Sequence, residues 1–177
     1  MKLIILDRDG VINEDSDAYI KSPEEWKPIP GSLAAIARLT HAGYRIAVAT
    51  NQSGVGRGLF DLATLAQIHA KMQHAVASAG GRIDAIFFCP HPADANCGCR
   101  KPRPGMIHEI LHRFDVPPGG VFVVGDALRD LQAGASAGCQ PLLVLSGKGR
   151  ATMQAGGLPP STMVRVDLSA VASELAP

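Results

Sequence analysis

The stretch "KLIILDRDGVI", Lys2 to Ile12, decides the fold. Leu3 to Leu6 form an unbroken apolar run too short for a helix, and its Asp-Arg-Asp-Gly ending is abrupt. A short run with no polar alternation suits a strand covered on both faces, as strands of a parallel sheet are. The pattern recurs in "YRIAVAT" (44–50), "DAIFFCP" (84–90), "GVFVVGD" (120–126) and "QPLLVLS" (140–146). Between these runs lie segments of helical period: "PGSLAAIARLTHAG" (30–43), "DLATLAQIHAKMQHAVASAGG" (61–81), "GMIHEILHRFD" (105–115) and "ALRDLQAGASAG" (127–138). Leu62, Leu65, Ile68, Met72 and Val76 are expected to form the buried stripe of the second, and Ile107, Ile110, Leu111 and Phe114 that of the third. A β-like "MVRVDL" (163–168) and a final helical turn or two close the chain. Alternating strands and helices with short connections predict a doubly wound α/β fold, a parallel sheet with helices on both faces. One domain spanning 1–177, with no large inserted cap, is expected.

Composition excludes several classes. Lys plus Arg is 17 against 16 acids, a net charge of +1, which argues against a dedicated nucleic-acid partner. No apolar run approaches the ~18 residues of a membrane span. The N-terminal run carries acids at positions 7 and 9 and no small-residue cleavage site follows, so a strand and not a signal peptide is expected. A cytoplasmic monomer is expected, in a compartment where disulfides are rare.

Ligands of such sheets bind at the carboxyl ends of the strands. There the sequence places Asp7-Arg8-Asp9-Gly10, then Thr50-Asn51-Gln52-Ser53-Gly54, then Gly125-Asp126 with Asp130 beyond, and Lys101 after the third strand. Crowded carboxylates repel unless a cation neutralises them, and a set of oxygen ligands suits Mg²⁺. With a lysine and a hydroxyl, such a site grips a phosphoryl group. One carboxylate then serves as nucleophile, and another two residues on as acid and base.

The segments "DRDGVI", "TNQSG", "RKP" and "GDALRD" resemble the four motifs of the haloacid dehalogenase superfamily of phosphotransferases, and the likeness runs from residue 3 to about 146. It implies Asp7 as nucleophile, Asp9 as general acid and base, and Thr50 and Lys101 as phosphoryl-holding groups. It further implies Mg²⁺ on Asp7, Asp126 and the backbone carbonyl of Asp9, with Asp130 as a second acid of the last motif.

Cys89, His91, Cys97 and Cys99 form a Cys-x-His and Cys-x-Cys set within eleven residues. Four such ligands fill a tetrahedral, closed Zn²⁺ site. A disulfide would leave one thiol over and His91 unused. The loop 89–99 is therefore expected to hold structural zinc and to aim Arg100 and Lys101 at the phosphate. This loop resembles that of the group containing heptose 1,7-bisphosphate 7-phosphatases and histidinol-phosphate phosphatases. "CRKPRPGM" (99–106) is closer to the first, and the length of "PADANCGC" (92–99) to the second. The likeness implies a phosphosugar substrate read by Asp15, Ser16, Asp17 and Ala18 in the segment after the first motif. Arg8, Asn51, Gln52, Ser53, Arg57 and Arg100 are expected to join them.

"HEILH", His108 to His112, matches the zinc-protease pattern, but the apolar face of its helix turns both histidines toward solvent and no third ligand follows. A zinc knuckle for nucleic acid lacks both positive charge and an aromatic platform. His41, His69 and His74 are expected to lack partners, and Cys139 to be a small buried hydrophobe.

Overall fold

The computed structural model describes residues 1–177. Six strands form one parallel sheet: β1 (Lys2–Leu6), β2 (Tyr44–Asn51), β3 (Ala85–Cys89), β4 (Phe122–Gly125), β5 (Gln140–Val144) and β6 (Met163–Arg165), in the order β3-β2-β1-β4-β5-β6. The helices are α1 (Ser32–His41), α2 (Ser53–Gly56), α3 (Leu62–Ser78), α4 (Gly105–Phe114), α5 (Leu128–Ser136), α6 (Gly149–Ala155) and α7 (Leu168–Leu175).

The double-sided burial expected of the apolar runs is observed. Along β1, Ile4 and Leu6 enter a core with Ile36 and Leu39 of α1, Ile68 and Met72 of α3, and Val171 of α7. Leu3 and Ile5 enter the opposite core with Ile107 and Ile110 of α4 and Ala133 of α5. This is the period-2 alternation of a strand expressed in a sheet with helices on both faces. Met106 and Cys139 join the second core, Phe114 packs partly buried against it, and burial pushes the Cys139 thiol up to about 11.

One local expectation is corrected. Leu62 is the first residue of α3 and is exposed, while His69 joins the buried stripe. Helix α6, whose "GRATMQA" shows no apolar period, was not anticipated.

β1 and β4 are neighbours, with Leu6 in register with Val124, and the chain winds outward from them in opposite directions. That reversal is the topological switch point, where the strand ends part and leave a crevice. Asp7 and Asp126 leave the sheet there side by side.

Candidate active site

Asp7 leaves β1 with its amide on the carbonyl of Val124. Its Oδ1 accepts from the Arg8 amide at 2.8 Å and lies 3.0 Å from Lys101 Nζ. Lys101, 2% exposed, also donates to the Ala49 carbonyl at 2.7 Å and pairs with Asp130 Oδ1 at 2.7 Å. Its three ammonium donors thus have three acceptors. Asn51 fixes the lysine's backbone from both sides, accepting from the Lys101 amide and donating to its carbonyl, each at 3.0 Å.

Carboxylate oxygens of Asp7, Asp126 and Asp130 lie within 4.8 Å of one another, all three residues buried. Burial first, then the charges of Asp130, Asp126 and Asp9, push Asp7 up to about 8, with Lys101 only partly offsetting them. Burial and Asp130 push Asp126 up to about 6. Such a cluster fits a hard divalent cation, which takes oxygen donors and cancels their repulsion. Asp130 is the least available of the three: Oδ1 holds Lys101, and Oδ2 accepts from the Ala127 amide at 3.0 Å. It positions its neighbours.

Asp9 is held differently. Its Oδ1 accepts from Arg8 Nε at 2.9 Å and Asn13 Nδ2 at 2.9 Å and pairs with Arg8 Nη2 at 2.8 Å. Its Oδ2 accepts only from Gln52 Nε2, at 3.1 Å, and that amide also reaches Thr50 Oγ1 at 2.8 Å. Burial works against it, but Arg8, Asn13 and Gln52 hold Asp9 below the ordinary carboxylate range.

Arg8 corrects an expectation. Its side chain is fully buried, away from the cavity, and contacts His69 Nε2 at 3.2 Å. Its guanidinium is spent on Asp9 and His69 and is not among the groups lining the cavity. His69, expected to be alone, backs this arginine, and burial and Arg8 together hold it down to about 4.

The cavity, about 790 Å³ with its open mouth, is lined by Asp7, Asp9, Asp15, Ser16, Asp17, Asn51, Gln52, Ser53, Arg100 and Lys101, as expected. Thr50 and Asp126 are buried at strand ends beside it. Ala18 and Arg57 do not line it. Ala18 is exposed and donates its amide to Ser16 Oγ, and Arg57 is the exposed cap of α2. Tyr19, Ile20, Arg129 and Lys148 do line it and were missed. Lys148 was within reach of sequence reasoning, since it follows β5 by the same strand-end rule that found the other residues.

The segment after β5 also braces the centre. Ser146 Oγ donates to the Gly10 carbonyl, the Lys148 amide to Asp126 Oδ2 and Thr152 Oγ1 to the Asp126 carbonyl, at 2.7, 2.8 and 2.7 Å. Gly10 is required there: its φ is +82°, and a Cβ would lie 2.0 Å from Asp126 Oδ2.

Cys89 ends β3 directly opposite Asn51. Its Sγ lies 3.0 Å from Cys99 Sγ, 3.6 Å from Cys97 Sγ and 3.4 Å from His91 Nδ1, with all four cysteines of the chain free. The four ligand atoms fall within 4.8 Å of one another, which fits one metal ion. The loop is stitched in place by the Gly56 amide on the Pro90 carbonyl and the Gly105 amide on the Gly98 carbonyl. By contrast His108, Glu109 and His112 lie on the exposed face of α4.

The HAD-hydrolase-like family model matches residues 98–171. The D-glycero-beta-D-manno-heptose-1,7-bisphosphate 7-phosphatase of Bordetella bronchiseptica is 62% identical over 99% of this chain and 98% of its own. The chain belongs to that phosphatase family. The family's Pseudomonas putida member is 53% identical over 99% of both chains. The crystal structure of the B. bronchiseptica enzyme complexed with magnesium and phosphate superposes with a TM-score of 0.98, covering 99% of this chain and 98% of that one. This chain is accordingly a phosphoric monoester hydrolase with the family's parallel-sheet fold and no large cap domain.

Proposed function

We propose that this phosphatase removes the 7-phosphate of D-glycero-D-manno-heptose 1,7-bisphosphate, a step toward nucleotide-activated heptose for lipopolysaccharide. The observation that carries the reading is the charge layout of the cavity. Asp7, Asp9 and the buried Lys101 line it together with three further cations, Arg100, Arg129 and Lys148. A substrate with a phosphate at each end matches that layout. The rival, histidinol phosphate, needs a free carboxylate for its ammonium, but the candidates Asp15 and Asp17 are both paired with Lys148.

Asp7 Oδ2 accepts no hydrogen bond from the protein, because Arg8 and Lys101 occupy Oδ1. Oδ2 attacks phosphorus, the bond from phosphorus to the sugar oxygen breaks, and that oxygen takes a proton from Asp9, which is ionised in the free site and takes up a proton from solvent when the phosphate's negative charge arrives. Water then gives a proton back to Asp9 and attacks phosphorus, releasing Asp7 and phosphate. Oδ2 of Asp9 carries the proton, since Oδ1 is saturated by donors. Mg²⁺, held by Asp7, Asp126 and the Asp9 carbonyl, neutralises the crowded acids and the phosphoryl oxygens. Zn²⁺ would be held by Cys89, His91, Cys97 and Cys99, a complete four-ligand set that leaves no position for water or substrate, and so would be structural.

The reading is tested on a panel of sugar and amino-alcohol phosphates. Heptose bisphosphate should give the highest kcat/KM. Arg100→Ala should raise KM for it by roughly 10- to 100-fold, the scale of a charge-assisted contact, and much less for heptose 7-phosphate. A much higher kcat/KM on histidinol phosphate would overturn the assignment.

Metal binding should also depend on pH. Asp7 and Asp126 are raised in the metal-free fold, so between roughly pH 4 and pH 8 the folded state binds more protons than the unfolded chain, and stability falls as pH rises. Mg²⁺ displaces those protons. The gain in Tm on adding Mg²⁺ should therefore be larger at pH 8 than at pH 6, and calorimetry in buffers of different ionisation enthalpy should detect proton release. A Tm gain independent of pH, with no protons released, would contradict this.

A further inference from the structure

We propose that Lys148 sets the substrate preference of this site, by neutralising Asp15 and Asp17 so that the outer end of the cavity accepts an anion rather than an ammonium ion. The inference deepens the phosphosugar reading above and rests on it. Lys148 Nζ lies 3.4 Å from Asp15 Oδ2 and 3.3 Å from Asp17 Oδ1, and neither acid pairs with any other cation. Its amide is bound to Asp126 Oδ2 at 2.8 Å, so the start of the side chain is fixed by the metal carboxylate itself.

The charges at the outer end then decide the ligand. Asp15, Asp17, Arg100, Arg129 and Lys148 all line the cavity. With the lysine the balance is one positive charge. Without it the balance is zero, and two carboxylates stand open to a cation. Asp17 is 95% exposed and its pair is screened by water, so Asp15, 22% exposed, carries most of the effect. Removing the side chain leaves the Lys148 amide on Asp126, so Lys148→Met probes the ammonium group separately from the brace.

The test compares wild type, Lys148→Met, Lys148→Arg and the Asp15→Asn/Asp17→Asn double variant on heptose bisphosphate, heptose 7-phosphate and histidinol phosphate. Lys148→Met should lower the ratio of kcat/KM for the bisphosphate over histidinol phosphate by about tenfold or more, equivalent to ~1.4 kcal/mol. The bisphosphate should suffer more than heptose 7-phosphate. Lys148→Arg should restore most of the ratio, and the double variant should move it the opposite way. An unchanged ratio, or an equal loss on all three substrates, overturns the proposal. If thermal unfolding shows Lys148→Met to be misfolded, the double variant decides alone, and an unchanged ratio there is equally fatal. Wild type preferring histidinol phosphate would instead refute the phosphosugar reading itself.

Discussion

Asp7→Asn protein is expected to show no measurable turnover and yet to be more stable than wild type at pH 8 in the absence of metal. An amide cannot form the bond to phosphorus, and loss of a nucleophile typically costs roughly 10⁴- to 10⁶-fold in kcat. The gain in stability has a separate cause. Asp7 is pushed up to about 8 by burial and by neighbouring carboxylates, so ionising it is a cost the fold bears. Asparagine is nearly isosteric and never ionises. Lys101 keeps Asp130 and the Ala49 carbonyl as partners. A differential scan at pH 8 should show a higher Tm for the variant, and added Mg²⁺ should raise its Tm less than that of wild type. Phosphate release within a few fold of wild type would remove Asp7 from the nucleophile's role.

Cys89→Ser should abolish the zinc binding proposed for this loop and, with it, cost about 10²-fold in kcat/KM, the scale of a reacting group misplaced by an ångström. The route runs through the sheet. Cys89 is fully buried opposite Asn51, and Asn51 grips the backbone of Lys101 at two points. A loop released at Cys89 lets Lys101 drift from Asp7. Elemental analysis should fall from about one zinc per chain to none. Trypsin should cut after Arg100, since Lys101 and Arg103 each precede a proline, while far-ultraviolet dichroism stays close to that of wild type. Full activity in demonstrably zinc-free protein would show that the loop holds its shape unaided.

The sheet and the acidic centre were legible because their physics is local. A strand buried on both faces has to be an apolar run, and Asp7, Thr50 and Asp126 end such runs. The thiol cluster was legible from ligand spacing. What escaped depends on long-range placement. His69 was overlooked because its partner, Arg8, lies 61 positions away in the chain. Arg8 was assigned to substrate, but its guanidinium is taken up by Asp9 and His69. Lys148 could have been found from its place after β5, whereas Arg129 carries no such signal and only the fold brings it to the cavity.

The strand order has a consequence for how the molecule is made. Every strand pairs in parallel and no two are joined by a hairpin, so each pairing must close a long loop before it gains contacts. β1 emerges first but has only β2 beside it until β4 is made, and Asp126 follows β4. During synthesis the cation cradle therefore cannot form until β4 and Asp126 have been made. Magnesium has no such cradle to bind early in that process, so it will retard unfolding far more than it hastens folding.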